Sequence, residues 1–147
     1  IKKKNYTTSI DKQFLETSLT ELKDIFKENN QSHKIMHFII NRYSIDGVNY
    51  NSFEDEIDGE NMCIEVKFIS IPTILMKELS HVLEKYQIKV DRFFDRNYIN
   101  NFSALDSLDL SIVAFNLKNG QNHFEIGLVP KNPKIKGFFE KFFQLFS

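Results

Sequence analysis

Four histidines, one cysteine and twenty acidic residues are the groups through which this 147-residue chain could do acid–base, nucleophilic or metal chemistry. His33, His37, His81 and His123 are scattered, and no pairing stands at metal-ligand intervals. His37 lies inside an apolar run and reads as a satisfied core residue. Cys63 alone can form neither an intrachain disulfide nor a Cys-rich metal site, which agrees with a reducing compartment. The acidic string EDEIDGE, Glu54 to Glu60, lacks the alternating ligands of a calcium loop and reads as a solvated loop between strands. No Gly-rich phosphate loop, nucleophile elbow or Ser/His/Asp pattern is legible. The expectation is a non-enzymatic protein with no catalytic residue, no cofactor and no metal.

The densest chemical signal is apolar and lies at the end of the chain. NPKIKGFFEKFFQLFS carries five phenylalanines in its last ten residues. Wound as a helix from Lys134, it places Ile135, Phe138, Phe139, Phe142, Phe143 and Phe146 on one broad face, at offsets 0, 3, 4, 7, 8 and 11. Lys134, Lys136 and Lys141 fall on the polar face. With Lys131, four lysines stand against Glu140, a local net charge of +3. An aromatic face beside a lysine-bearing face describes an interfacial helix lying among lipid headgroups. Each fully buried Phe is worth roughly 1.5–3 kcal/mol, and each Lys near an anionic surface adds about 1 kcal/mol. The same pattern also fits a helix docked on the domain's own sheet, or one held in a partner's groove. Two prolines in front of it, Pro130 and Pro133, favour a separate element.

The elements that precede it read as a small α+β domain. Residues Thr8 to about Asn30 repeat their apolar positions at helical spacing, with Thr8 and Asp11 as a capping box. KIMHFIINRYSID has a β-branched centre, Ile35 to Ile40, that predicts a largely buried strand. A turn at Asp46-Gly47 follows. NMCIEVKFIS alternates Met62, Ile64, Val66 and Phe68 against Glu65 and Lys67, a half-buried strand. Pro72, in a favourable first-turn position, predicts a second helix to about Tyr86, with Leu75, Leu79, Val82, Leu83 and Tyr86 as its apolar face. IKVDRFF from Ile88 reads as a short strand, its VDRFFDR stretch alternating buried Phe with surface ion pairs. LDLSIVAFNL and HFEIGLV read as two more strands, joined as a hairpin at Asn119-Gly120.

Hydrophobic residues make up 41% of the chain, including 15 Phe, enough for a core. The net charge is −1 and the pI near 6.5, so no basic field points to nucleic acid. The leading IKKK reads as a solvated end rather than a nucleic-acid arm. No apolar run approaches the roughly 18–20 residues that span a bilayer. Because the chain starts at Ile1 rather than Met, a fragment or trimmed piece is expected, and a missing signal peptide carries no weight.

MHFIINRYSIDG, a polar loop, DGENMCIEVKFIS and a helix ending in VLEKYQIKVDRFF, in that order, resemble the inserted 1C subdomain of FtsA, the bacterial actin-like cell-division protein. Tyr43 to Asp46 matches the family's Tyr-x-x-Asp-like strand end. Ile88, Lys89, Val90 and Asp91 match its Leu-x-Val-Asp-like segment. FtsA proteins also end in a short basic amphipathic helix, which Lys134 to Phe146 resembles. The Asp-x-Gly-Gly-Gly-Thr phosphate loop of the actin fold has no counterpart in FNLKNGQNHFEIG. The remaining actin-like subdomains, including the one that grips FtsZ in that family, have no room in 147 residues, so nucleotide binding, actin-like polymerisation and direct FtsZ docking are not implied. The resemblance implies a 1C-like interaction subdomain at 6–96, a strand-hairpin extension at 97–130 and a membrane-targeting helix at 131–147. The fold expected is a small mixed or antiparallel sheet with two packed helices, a C-terminal hairpin and a terminal amphipathic helix. The function implied is a cell-division adaptor of the septal machinery, peripheral on the cytoplasmic face of the cell membrane. Its expected partners are division proteins, a second copy of itself and an anionic lipid surface, with no nucleic acid. An assembly module of another actin-like system, such as pilus assembly, uses the same features, as does a soluble interaction domain whose terminal helix packs on its own core.

Overall fold

The structure is a computed structural model that describes residues 1–6, 9–51, 56–103 and 109–126. It is an α+β fold built on an antiparallel sheet. The strands are β1 (Lys2–Lys4), β2 (Ser9–Asp11), β3 (His33–Ile45), β4 (Val48–Asn49), β5 (Glu56–Asp58) and β6 (Asn61–Pro72). The helices are α1 (Lys12–Asn29), α2 (Thr73–Glu84), α3 (Arg96–Asn100) and α4 (Leu110–Lys118). The main sheet runs β1-β6-β3-β4, and β2 pairs with β5 in a small second sheet.

The long β3–β6 ladder is the frame. On β6 the alternation is strict, and Met62, Ile64, Val66 and Phe68 all turn towards α1. Their partners on β3 are Ile45, Tyr43, Ile40 and Phe38. These inward positions change from odd to even numbers because β3 carries two bulges, between Ile35 and His37 and between Ile40 and Arg42. Each bulge inserts one unpaired residue, Met36 or Asn41, and so restores the apolar side chains to one face. That face, with Ile10, Leu15, Leu19 and Ile57, forms the main core. Phe68 stacks on Phe26 of α1 at 4.5 Å and on Phe38 at 4.4 Å. Asp46 (φ 47°) and Gly47 (φ 84°) form the two-residue turn to β4, a left-handed pair that suits the twist of a hairpin.

The first helix starts later than its sequence suggests. Asp11 is itself the cap, its side chain accepting the Phe14 N–H at 2.8 Å. The residues before it are drawn into β2, where Ile10 pairs with Ile57 and is buried. Thr8 lies outside the described residues. The helix ends as expected: the Asn29 and Asn30 side chains donate to the Ile25 and Phe26 carbonyls, closing its last turn. Part of the acidic string is likewise strand rather than loop, since Glu56–Asp58 is β5. Pro72 is the N-cap of α2 rather than a first-turn residue.

The C-terminal hairpin is absent from the described residues, and a helical layer stands in its place. LSIVAFNLK is α4, begun by Asp109, whose carboxylate accepts the Ser111 N–H at 2.9 Å. Val113 and Leu117, four apart, bury one face against Tyr98 and Ile99 of α3, and this packing overrides the β-branched propensity. Asn119-Gly120 ends the helix. Gly120 (φ 86°) donates to the Leu117 carbonyl at 3.0 Å and Gln121 to that of Asn116 at 3.1 Å, the paired bonds of a Schellman stop. IKVDRFF is not a strand either, and residues 88–95 have no ladder partner among the described residues. Of HFEIGLV, Glu125 makes one antiparallel bridge with Ile39. It therefore joins the edge of β3 instead of a hairpin partner. This layer covers the opposite face of the sheet, with Ile39, Ile69, Phe94 and Phe102 packed around it.

Candidate functional site

Between the sheet and the helical layer lies a buried polar cluster. His37 comes from β3, Arg92 from the extended segment before α3, Tyr98 from α3 and Glu125 from the segment after α4. His37 faces the helical layer because it follows the Met36 bulge. Its Nε2 accepts the backbone N–H of Asp95 at 3.0 Å. A backbone amide only donates, so Nε2 carries no proton and the ring's hydrogen is on Nδ1. That Nδ1–H donates to Glu125 Oε1 at 2.7 Å. Arg92 Nη2 donates to the same oxygen at 3.1 Å, and also to the carbonyl of the bulge residue Met36, at 3.1 Å. Tyr98 donates its hydroxyl to Glu125 Oε2 and accepts from Asn122 Nδ2 at 2.9 Å.

Glu125 is thus a carboxylate with three donors, and Arg92 is its counter-charge. The side chains of His37 and Glu125 are wholly buried. Burial, followed by the Glu125 carboxylate, pushes the Tyr98 phenol above its ordinary value of 10. Burial also lowers the Arg92 guanidinium, against the opposing pull of Glu125. A carboxylate–histidine pair is the beginning of a general base. Here the second ring nitrogen already holds a backbone amide and none of the ring meets solvent, so the geometry pins Asp95 and α3 to the sheet. His37 is the satisfied core residue that its apolar neighbours indicated. Tyr98 and Glu125 escaped sequence reading, and Arg92, read there as part of a surface ion pair in VDRFFDR, instead pairs with the buried Glu125. For Arg92 and Glu125 the signal was a charge set among apolar residues, in VDRFF and in HFEI.

The surface offers different chemistry. Along α2, Leu75, Leu79 and Val82 stand at offsets 0, 4 and 7 and so share one face, and Tyr86 follows in the turn beyond the helix, which ends at Glu84 rather than at Tyr86. They are 44%, 41%, 51% and 74% exposed. No residue of α2 is buried. Its contact with the rest is made by Thr73, Met76, Ser80 and Leu83, which are half-buried and lie about 100° around the helix. The apolar face read from sequence as a packing face is therefore turned outward, apart from Leu83. Ile74 beside it and Ile88 beyond it are exposed as well. Lys77, Glu78, Glu84 and Lys85 supply both signs of charge around this stripe. On α4, Ile112 and Phe115 are also exposed.

The remaining sequence candidates do not converge. His33, His81 and His123 are exposed at separate places, and Cys63 is half-buried. Among the described residues no group of three or more metal-ligating side chains occurs. No described helix is long and apolar enough to cross a membrane. Lys134, Ile135, Lys136, Phe138, Phe139, Lys141, Phe142, Phe143 and Phe146 lie outside the described residues. No family model matches this chain, and no curated protein matches it.

Proposed function

We propose that this chain is a non-enzymatic adaptor that works by apolar contact, of the FtsA type suggested by the order of its sequence features. In this reading it sits on the cytoplasmic face of the cell membrane. The closing aromatic segment holds it to anionic headgroups, and the α2 stripe receives a protein of the septal machinery. The observation that carries the reading is the stripe itself. Leu75, Leu79 and Val82 form a row of exposed large apolar side chains on a helix, with Tyr86 exposed in the turn just beyond it, the pattern of helix-in-groove recognition. The buried His37–Glu125 pair supports binding rather than catalysis, since both ring nitrogens are already engaged.

The test has a lipid arm and a protein arm. Wild-type protein is expected to co-sediment with phosphatidylglycerol vesicles and not with phosphatidylcholine vesicles, and Phe142→Asp with Phe143→Asp abolishes this. Unchanged sedimentation of the double variant refutes the membrane half. In pairwise binding to purified division proteins, Leu79→Asp is expected to lose the interaction. Recovery of pilus-assembly components in place of division proteins would assign the module to that system.

A further inference from the structure

We propose that, when no partner holds it, the α2 stripe pairs with the same stripe of a second copy of this chain, so that self-association and partner binding exclude one another. The proposal rests on the adaptor reading and adds the regulation of its binding surface.

The spacing of the stripe argues for it. Leu75, Leu79 and Val82 lie on α2, and the row closes at Tyr86 in the turn that follows. Lys85 keeps helical angles (φ −59°, ψ −25°), and the Tyr86 N–H donates to the Leu83 carbonyl at 3.0 Å. The backbone therefore carries Tyr86 along the helical path. The positions 0, 4, 7 and 11 read the same from either end. A two-fold axis that sets two α2 helices antiparallel thus brings the row onto itself. Leu79 of each copy meets Val82 of the other, and Leu75 meets Tyr86. Alternating steps of four and three residues are those of a coiled-coil seam.

The charges beside the stripe select the same arrangement. Glu78 and Lys85 each precede a stripe residue by one, so both stand exposed on one flank. The opposite flank carries Met76 and Leu83, half-buried against the body of the chain. The two-fold axis sets like flank beside like flank. Glu78 of one copy then lies beside Lys85 of the other, about 3 Å apart along the helix direction, and the pair forms twice. A parallel pair would set both charges against the flank of Met76 and Leu83 and leave them without a counter-ion. Exposed ion pairs add little affinity but fix orientation. The contact is isologous and closes at two copies. A helix of 12 residues gives an interface at the small end of the specific range, so the dimer is weak and reversible. That weakness is what lets a partner displace the second copy.

The experiment is sedimentation velocity of the full chain without lipid, from about 1 to 100 µM. Wild type is expected to pass reversibly from monomer to dimer over this range, and Leu79→Asp, at an exposed position, to stay monomeric. Glu78→Lys and Lys85→Glu each set like charges side by side twice and are expected to weaken the dimer about tenfold. Mixed in equal amounts, these two variants are expected to form a heterodimer of wild-type strength, because every cross pair is then of opposite sign. A purified division protein that binds wild type is expected to split the dimer. A monomer at every concentration, a dimer that Leu79→Asp leaves intact, charge variants that do not rescue one another, or a partner complex that keeps two copies together overturns the proposal. The adaptor reading survives those outcomes if Leu79→Asp still abolishes binding of the division protein. If the dimer behaves as expected but Leu79→Asp binds division proteins as wild type does, self-pairing stands and the adaptor's use of the stripe fails.

Discussion

Replacing Glu125 tests whether one carboxylate holds the helical layer to the sheet. In Glu125→Ala, the Nδ1–H of His37 and the hydroxyl of Tyr98 lose their buried acceptor. Each such loss costs about 1–3 kcal/mol. Arg92 is left without its counter-charge, but its side chain is 26% exposed and regains part of its hydration. Its share therefore falls short of the roughly 3–5 kcal/mol of a wholly buried pair broken on one side. These losses overlap, because all three partners relax into the same void. The expected total is about 3–5 kcal/mol, a large part of the roughly 5–15 kcal/mol that stabilises an ordinary domain. Glu125→Gln keeps the volume and one acceptor oxygen for His37 and Arg92, but loses the charge and the acceptor for Tyr98. It should cost less, about 1–3 kcal/mol. Urea unfolding at neutral pH, followed by circular dichroism, measures both variants. A loss below about 1 kcal/mol in Glu125→Ala, or a Gln variant weaker than the Ala variant, would refute the idea that this carboxylate organises its neighbours.

Tyr98 gives a pH signature. Its folded-state value is raised above 10, chiefly by burial. The unfolded chain therefore releases the phenolic proton first, and stability is intact below about pH 10 but falls above it by up to about 1.4 kcal/mol per pH unit. Tyr98→Phe removes that contribution, so identical alkaline slopes for the variant and wild type would contradict the assignment. Gly59 is constrained by space. A Cβ there would overlap Ile45 Cγ2 and crowd the Asp46 carboxylate. Gly59→Ala is expected to cost about 1–3 kcal/mol, and an unchanged urea midpoint would show that the turn has room.

The parts of the fold that were legible in sequence are those where one local rule governs. On β6 the alternation from Met62 to Phe68 matches the pleat, and Asp46-Gly47 is a two-residue hairpin turn. Asn119-Gly120 shows where a local rule divides. Both a hairpin and a helix stop need a residue of positive φ, so the dipeptide alone cannot choose between them. The choice is made by packing, through Val113 and Leu117 against Tyr98 and Ile99. The buried cluster was out of reach for a different reason. His37 and Glu125 are 88 positions apart, and the bulge that turns His37 towards the helical layer leaves no mark in the alternation. The outward stripe of α2 was visible as an apolar face, but sequence alone does not say whether anything covers it.

The two surplus residues of β3 have a consequence for the whole architecture. They put the strand out of phase with itself over a short window, His37 to Ile40, and back in phase beyond it. Were the same residues paired one-to-one without the bulges, His37 would fall in step with Tyr43 and Ile45 and carry its polar ring into the oily side. The slip works like a vernier, letting a single strand serve two chemically unlike layers. On one side is a dry wall of Ile, Phe and Tyr, and on the other a seat for a charged cluster that fastens a second storey of helices.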